Sequence, residues 1–401
     1  MRGMEHATVI VGVSGGIAAY KAVELVRLLG KLGVDVHVAM TRGATQFVTP
    51  LTFSALTKHP VEESVWHLSE RGEIGHVVLG HQAKLIVIAP ATATTIARLA
   101  MGLADDALTA LVLASTCPVL LAPAMETNMW TAPATQKNVA TLVKTGRYTV
   151  IGPESGALAS GAQGMGRMSE PDLIAWHAEK ALTPQDFAGV HMIVTAGPTR
   201  EPLDPVRFIS NRSSGKMGFA IAERAAMRGA QVTLVHGPVA LDPPRGVHAV
   251  AVTSAVEMLD SLQALMKRCQ VLVMAAAVAD YAAQKVAKKK LKKQDLGKKP
   301  AIALTQNPDV IATIAKAKKK STLLVGFAAE TNDVEANALK KLRAKGLDLI
   351  VANDISAPGV GMDSDDNKVT IYDRRGVVLE TERSPKTEIA EALLKTILDR
   401  L

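Results

Sequence analysis

Short apolar runs alternate with segments of helical periodicity along this chain, and that alternation restricts the fold more than any other feature of the sequence. In the first half the apolar runs lie at residues 7–13, 35–40, 85–89 and 119–122, with helical segments at residues 18–32 and 94–101. Parallel strands need long crossover connections, which helices commonly provide, and helices then cover both faces of the sheet. The alternation therefore predicts an α/β fold with a doubly wound parallel sheet.

The same alternation starts again after Thr183-Pro184-Gln185. Apolar runs follow at residues 191–195, 231–235, 271–275, 322–325 and 349–352, with a helical segment at residues 218–228. A chain of 401 residues also exceeds the usual size of one compact domain. We therefore predict two doubly wound parallel-sheet domains, residues 1–186 and 187–401, with ligands at the carboxyl ends of their strands.

Composition excludes several classes of protein. The formal net charge of +8 is concentrated in residues 288–299 and 316–320, and only 3% of the residues are aromatic. Nucleic-acid binding is therefore not expected, because bases stack on aromatic side chains. Two cysteines are too few for a disulfide framework, and no apolar run approaches the roughly 20 residues that span a bilayer. We expect a cytoplasmic protein without a membrane partner.

Four motifs in the first half point to one kind of cofactor. Ser14, Gly15 and Gly16 stand between an apolar run and a helical segment, where backbone N–H groups and a helix N-terminus can receive a phosphate. Gly75-His76, PATATT at 90–95 and PAMETNMW at 123–130 follow in order. Together these segments resemble the FMN-dependent phosphopantothenoylcysteine decarboxylases, of flavodoxin-like fold, over most of residues 5–180.

The resemblance implies an FMN site and a catalytic base in the first half. The implied FMN-binding residues are Ser14, Gly15, Gly16, Thr41, Pro90, Ala91, Thr92, Ala93 and Thr94. His76 is the implied base, and an imidazole suits proton removal near neutral pH. A single histidine beside a helix is otherwise more often a surface or capping residue, so the neighbouring motifs carry this assignment.

Two positions depart from the pattern of that family. Glu126 stands where the family has an asparagine that binds the substrate carboxylate, and Ser160 stands where it has a proton-donating cysteine. Both are kept as candidate catalytic residues, although a carboxylate facing a carboxylate is repulsive unless one is protonated. Asn128 is the candidate replacement for the missing amide. A serine hydroxyl is a much weaker acid than a thiol, so the substitution is expected to affect the final reduction more than decarboxylation.

The second half contains a longer set of ordered motifs. It begins with VTAGPTREPLDPVRFISNRSSGKMG at 194–218 and continues with AAAVADY at 275–281, KKKLKK at 288–293, NPDV at 307–310, GFAAET at 326–331 and VANDIS at 351–356. These segments resemble the phosphopantothenate–cysteine ligases, and the domain is predicted to be Rossmann-like. The resemblance implies that CTP activates a carboxylate before cysteine's amine attacks it.

The resemblance also implies roles for individual residues of the second half. Lys290 is the implied catalytic lysine, Asn211 and Arg207 would hold the carboxylate, and Ala277 belongs to the same catalytic set. The implied nucleotide-binding residues are Ala275, Asp280, Lys290, Asn307, Pro308, Asp309, Val310, Phe327, Lys341 and Lys345. Mg²⁺ is expected because it neutralises a triphosphate, but the sequence identifies no metal ligands. The isolated aspartates 204, 280, 309 and 354 are more typical of caps and turns than of a metal cluster.

Read as a whole, the sequence predicts a bifunctional enzyme of coenzyme A biosynthesis acting on 4′-phosphopantothenate, cysteine and CTP. The resemblance further implies a homo-oligomer, with trimeric decarboxylase domains, dimeric ligase domains and a dodecamer as one way to combine them. An alternative is an active ligase fused to a flavin-binding or assembly domain with impaired turnover.

Overall fold

The computed structural model describes residues 6–66, 68, 72–292, 301–330, 333–354 and 364–401. The chain divides into two compact units, Met1–Thr183 and Pro184–Leu401. The predicted boundary between residues 186 and 187 lies close to this division. Within the described ranges, no helix combines the length and the apolar character that a membrane span requires.

A five-stranded parallel sheet forms the centre of the first unit, with the strand order β2-β1-β3-β4-β5. Its strands are β1 (Thr8–Val13), β2 (Asp35–Met40), β3 (Leu85–Ala91), β4 (Val119–Pro123) and β5 (Tyr148–Val150). This order is that of flavodoxin-like folds, in which ligands bind where the strand order reverses, here beside β1 and β3. The predicted fold class is confirmed, while β5 was not predicted.

Helices cover both faces of this sheet. They are α1 (Ala19–Lys31), α2 (Pro50–Thr57), α3 (Gly75–Gln82), α4 (Ala93–Met101), α5 (Ala107–Ala114), α6 (Thr127–Thr131), α7 (Pro133–Lys144) and α8 (Pro171–Leu182). Alternate residues of β1 enter different cores: Val11 packs in the cluster that contains Ile174 of α8, and Ile10 packs in the one that contains Leu108 of α5. This two-sided burial explains why the strands read as continuous apolar runs.

An antiparallel hairpin follows β5 and is not part of the sheet. It consists of β6 (Glu154–Ala157) and β7 (Gln163–Arg167), and we call residues 154–167 the flap. Its sequence has few β-branched residues and four glycines, so propensity alone did not predict strands there.

The second unit contains an eight-stranded sheet with the order β12-β11-β8-β13-β16-β17-β19-β20. These strands are β8 (His191–Ala196), β11 (Gln231–His236), β12 (Val247–Ala251), β13 (Val271–Met274), β16 (Leu323–Glu330), β17 (Leu349–Asp354), β19 (Thr370–Asp373) and β20 (Gly376–Glu380). The sheet is parallel from β12 to β17, as predicted, but β19 and β20 add antiparallel strands at one edge. A two-residue turn can join β19 to β20, so no helical segment signals them in the sequence.

Short strand pairs and five helices complete the part of the second unit that the structure describes. The pairs are β9 (Arg200–Pro202) with β10 (Phe208–Ser210), β14 (Tyr281–Ala283) with β15 (Leu304–Gln306), and β18 (Asp366–Asn367) with β21 (Ser384–Pro385). The helices are α9 (Lys216–Met227), α10 (Ala255–Leu265), α11 (Val310–Ala317), α12 (Val334–Lys345) and α13 (Lys386–Leu398). Helices α9 and α13 contribute to one core, and α10, α11 and α12 contribute to the other.

We expect Ile174→Ala to destabilise the first unit by about 2–5 kcal/mol, because the side chain is fully buried and its removal leaves a cavity. The three tryptophans, residues 66, 130 and 176, all lie in this unit, so urea unfolding followed by their fluorescence reports on it. Val143→Ala, which truncates a side chain on α7 that is 45% exposed, is the control. Equal midpoints for the two variants would contradict the assignment of Ile174 to the core.

Candidate active sites

The loop after β1 is held to the end of β3 by one buried serine. The Ser14 hydroxyl donates to the Pro90 carbonyl at 2.6 Å and accepts from the Thr92 N–H at 2.9 Å. Its proton is therefore not available to an anion. The resemblance assigned Ser14 to the cofactor directly, whereas in this structure its hydroxyl positions the two loops that would hold the cofactor.

The glycines after Ser14 form a narrow backbone cradle. A Cβ atom on Gly15 would lie 2.7 Å from the backbone of Gly43, so only glycine fits there. Among the described residues, the N–H groups of Gly15 and Gly16 donate to no carbonyl. Two free N–H groups at the entry of α1 suit the phosphate of a flavin cofactor.

The remaining residues predicted to bind the cofactor lie at the same edge of the sheet. Thr41 follows β2, is 6% exposed, and accepts from the Ala44 N–H through its hydroxyl. Pro90 and Ala91 end β3, Thr92 caps α4, and Ala93 and Thr94 begin that helix. Three neighbouring strands thus bring these loops together, as the parallel topology requires.

A cavity of about 580 Å³ opens beside the cradle. Its lining includes Gly15, Gly16 and Thr92, and on the other side Glu126 and Ser160. The cofactor cradle and the two positions that depart from the decarboxylase pattern therefore face the same space.

Glu126 and Ser160 are bonded to each other. The Ser160 hydroxyl donates to Oε2 of Glu126 at 2.9 Å and accepts from the Ala162 N–H at 3.4 Å. The flap that carries Ser160 also docks through its backbone, because the Met125 N–H donates to the Gly166 carbonyl at 3.0 Å. A Cβ atom on Gly166 would lie 2.1 Å from the Met125 carbonyl oxygen, so this contact depends on glycine.

Two predicted catalytic residues are not brought to this cavity. Asn128 is exposed on α6 and does not belong to the described lining of the cavity. His76 lies in the first turn of α3, is partly buried, and does not belong to this lining either. Nδ1 of His76 is buried without a hydrogen-bond partner among the described residues. The preceding Gly75 packs against Glu62, whose carboxylate oxygen would be 2.7 Å from a Cβ atom there.

A charged cluster at the cavity was not predicted from the sequence. Lys21 lines it and pairs with Glu170 at 2.9 Å, and Arg167, also in the lining, pairs with the same carboxylate. The hydrogen bond from Lys21 is the main reason that the pKa of Glu170 lies below its usual value. The signal was present, because Lys21 lies in the helix that directly follows Ser14, Gly15 and Gly16, but a lysine in a helix is usually a surface residue.

The second unit has two adjoining cavities at the carboxyl ends of its strands. The first, of about 210 Å³, is lined by eight residues of the nucleotide-binding prediction: Asp280, Asn307, Pro308, Asp309, Val310, Phe327, Lys341 and Lys345. The second, of about 390 Å³, includes Asn211, Ala275 and Ala277. Asp280, Phe327 and Lys341 line both, so the two cavities lie side by side.

Most polar residues of these cavities already have a protein partner. The Asn211 amide donates to the carbonyls of Ala277 at 3.2 Å and Val278 at 3.0 Å, and Lys341 donates to the Phe327 carbonyl at 2.8 Å. Lys345 pairs with Asp309. Burial raises the pKa of Asp309, but Lys345 and the Ala312 N–H lower it more, so the pKa lies below its usual value.

Arg207 lies outside both described linings and pairs with Asp204. Its guanidinium donates to Oδ2 of Asp204 at 2.7 and 2.9 Å and to the Leu291 carbonyl at 2.6 Å, and the Leu291 N–H donates to Asp204 at 3.1 Å. Arg207 and Asp204 therefore anchor the chain next to Lys290, which is exposed. The predicted contact of Arg207 with a substrate carboxylate remains a prediction.

Among the residues that the structure describes, the aspartates of the second half do not assemble as a metal cluster. Asp204 bonds Arg207, and Asp309 caps α11 by accepting from the Ala312 N–H at 3.0 Å, as expected for isolated aspartates. The Asp354 side chain lies outside the described residues. Among the described residues, only Asp35, His37 and His59 of the first unit bring three candidate metal ligands together.

The two units thus define a class of protein: two doubly wound α/β domains, one with a flavin-type phosphate cradle and one with a nucleotide-sized pair of cavities. Residues 2–180 match the Flavoprotein family, and residues 187–401 match the DNA/pantothenate metabolism flavoprotein C-terminal domain.

Full-length relatives narrow this class to one family. The chain is 46% identical to the coenzyme A biosynthesis bifunctional protein CoaBC of Escherichia coli K12, over 98% of this chain and 97% of that protein. It is 45% identical to the same protein of Vibrio cholerae, over 94% of each. The crystal structure of a C-terminal domain of such a protein is 42% identical, covers 54% of this chain and 97% of its own, and gives a TM-score of 0.46.

The chain belongs to the family of coenzyme A biosynthesis bifunctional proteins. Membership confirms the resemblance drawn from the sequence motifs of both halves, and the flavoprotein character of the first unit.

Asp204→Asn should free the chain around Lys290. Burial raises the pKa of Asp204, but the N–H groups of Val206, Leu291 and Arg207 and the Arg207 guanidinium lower it more, so it lies well below its usual value. The carboxylate bonds are therefore present above about pH 4 and are lost only at lower pH. We expect the substitution to speed tryptic cleavage at residues 288–292 by about ten-fold between pH 6 and 8.

Mass spectrometry of the fragments measures this cleavage, and Asp242→Asn, on an exposed loop, is the matched control. Cleavage of Asp204→Asn at the wild-type rate would show that the carboxylate does not anchor the lysine-rich segment.

Proposed function

We propose that the chain joins 4′-phosphopantothenate to cysteine with CTP in its second unit and decarboxylates the product with FMN in its first. The product of both steps would be 4′-phosphopantetheine. The observation that carries the proposal is that many of the predicted residues line three cavities. One lies beside the free N–H groups of Gly15 and Gly16, and the other two adjoin each other beside Lys341. Family membership supports the same pair of activities.

In the ligase, the cavity formed by Asn307, Asp309 and Lys345 would hold the nucleotide, and the adjoining cavity would hold phosphopantothenate. The substrate carboxylate attacks the α-phosphate of CTP, pyrophosphate leaves, and the amine of cysteine then displaces CMP from the acyl-cytidylate. Negative charge grows on the phosphate oxygens, so the lysines that face the cavities stabilise the transition state.

Lys341, Lys345 and Lys290 would supply this charge. Lys341 lines both cavities, and its bond to the Phe327 carbonyl would be replaced by a bond to a phosphate oxygen. Lys345 would likewise leave Asp309 and bind a phosphate oxygen. Lys290 would come from the segment that Asp204 and Arg207 anchor. Mg²⁺ would be held mainly by the triphosphate, with Asp280, which lines both cavities, as the protein ligand.

In the decarboxylase, the N–H groups of Gly15 and Gly16 would bind the phosphate of FMN. Bound FMN would supply the two-electron oxidation and reduction that permit loss of carbon dioxide. The protein's own contribution is to orient the substrate under the flap, to exclude water and to move protons. His76 would remove a proton during the oxidation.

His76 would act in a site of a second copy of the chain, because in one chain it lies outside the cavity lining. Large apolar side chains near the cavity and α2 support such an assembly: Ile17 is 60% exposed, Leu51 75% and Trp66 87%. Surfaces of this kind commonly mark protein interfaces. We propose trimeric packing of the first units and dimeric packing of the second, which a dodecamer would combine.

A second candidate function rests on Glu126 and Ser160. Without the amide and the thiol, the first unit would bind flavin and support assembly but turn over poorly, while the second unit would remain an active ligase.

Reconstitution tests the proposed function. Purified protein is mixed with FMN, Mg²⁺, CTP, cysteine and 4′-phosphopantothenate, and products are identified by mass spectrometry. We expect 4′-phosphopantetheine from the wild type. We expect Lys290→Gln to nearly abolish ligation without changing flavin absorbance, because only the ligase loses charge. Accumulation of 4′-phosphopantothenoylcysteine would favour the second candidate, and no ligation at all would exclude both.

Mixed oligomers test whether neighbouring chains share a site. His76→Asn should be inactive as a decarboxylase, and so should Gly16→Val, whose side chain would occupy the cradle. A Cβ atom on Gly16 would meet only Thr92 at 3.6 Å, an ordinary contact, so this variant should fold. In a mixed oligomer, a site is intact where the cradle of a His76→Asn chain meets His76 of a Gly16→Val chain. Random pairing of equal amounts gives about a quarter of such sites, so co-assembly should restore about a quarter of wild-type decarboxylation.

Supplying 4′-phosphopantothenoylcysteine directly removes any dependence on the ligase in this assay. Activity no greater than the sum of the separate variants would show that His76 acts within its own chain.

A further inference from the structure

Few groups that one chain contributes to the first-unit cavity can donate a proton near neutral pH. A second copy would add only His76, which the proposed function uses as the base of the oxidation. The described lining of the cavity contains no histidine and no cysteine, and Glu126 is its only carboxyl group. Lys21 and Arg167 are both engaged in ion pairs with Glu170. Tyr20, 61% exposed, and the hydroxyl of Ser160 are weak acids.

The geometry leaves one oxygen of Glu126 free for this role. Ser160 donates to Oε2 at 2.9 Å and is itself fixed by the Ala162 N–H, whereas Oε1 has no hydrogen-bond partner within the described residues. The carboxyl group is thus held by one oxygen at the wall of the cavity. The flap contact between Met125 and Gly166 fixes the backbone that carries it.

We propose that Glu126 is the general acid of the decarboxylase and that Ser160 positions it. This inference rests on the proposed function of the first unit. It assigns both missing roles of the family pattern, carboxylate recognition and proton donation, to one side chain of this protein.

The first role follows from charge. The carboxylate of a phosphopantothenoylcysteine substrate would approach Glu126, and two carboxylates in contact share a proton because like charges repel. Glu126 would take up one proton as the substrate binds. The neutral carboxyl group then donates a hydrogen bond to the substrate carboxylate, as an amide would.

The second role follows after carbon dioxide has left. The remaining ene-thiolate has a carbon–carbon double bond, and its reduction needs a hydride and a proton. Bound FMN would supply the hydride to one carbon, and Glu126 would give its proton to the other. The double bond becomes a single bond, the thiolate is the product, and the carboxylate of Glu126 regains a proton from water.

Proton uptake tests the first role without turnover. The probe is the alanine analogue of the substrate, 4′-phosphopantothenoylalanine, which has no thiol to oxidise. Its binding to the FMN-loaded protein is measured by calorimetry in two buffers of different ionisation enthalpy. We expect uptake of about one proton by the wild type and by Glu24→Gln, an exposed control on α1, and none by Glu126→Gln. Equal uptake by all three would overturn the assignment.

Product analysis tests the second role. With 4′-phosphopantothenoylcysteine, Glu126→Gln should release carbon dioxide at close to the wild-type rate but form the final thiol about a hundred-fold more slowly, so that the ene-thiol accumulates. Ser160→Ala should slow thiol formation by a smaller factor. The double variant Glu126→Gln/Ser160→Cys should regain it, because a thiol then replaces the acid.

Thiol formation by Glu126→Gln at the wild-type rate would overturn the proposal and direct attention to Tyr20, to His76 of a second copy or to water. A wild type that releases no carbon dioxide would instead overturn the proposed decarboxylase function itself, and this outcome is read separately from the variants.

Discussion

Burial of the central parallel strands on both faces is the constraint on which the rest of the structure depends. In each unit, alternate residues of one strand enter different cores, so helices must cover both sides of the sheet. The connecting loops then emerge at the two ends of the strands. All the cavities assigned to ligands lie at the carboxyl ends, where helix N-termini and free N–H groups also point.

Within this frame, the sites are built mainly from bonds between loops. Ser14 joins the loops after β1 and β3, Arg207 and Asp204 hold the segment before Lys290, and Asn211 ties its loop to Ala277 and Val278. Ser14, Arg207 and Asn211 were predicted to touch a ligand, and each has protein partners in this structure. A polar residue in a ligand loop often serves to orient the loop, and preorganised N–H groups then do the binding.

The pairing of Glu126 with Ser160 shows how two substitutions can be linked. They are 34 residues apart and each weakens the match to the decarboxylase pattern when read alone. The flap brings them within hydrogen-bond distance because the glycines at 164 and 166 let its backbone lie on residues 125–127. The two changes therefore belong together: Glu126 is the proposed acid, and Ser160 donates the hydrogen bond that positions it.

The sequence by itself determined the fold class, the division into two domains and the family, because apolar periodicity and ordered motifs are local properties of the chain. It also identified some of the residues that line each cavity, since parallel strands bring the loops after them to one edge. Only the tertiary structure decided the partners of Ser14, Arg207 and Glu126, the position of His76 outside the cavity lining, and the antiparallel strands β19 and β20. Those features depend on contacts between distant segments, whose distances and directions follow from packing and not from residue spacing.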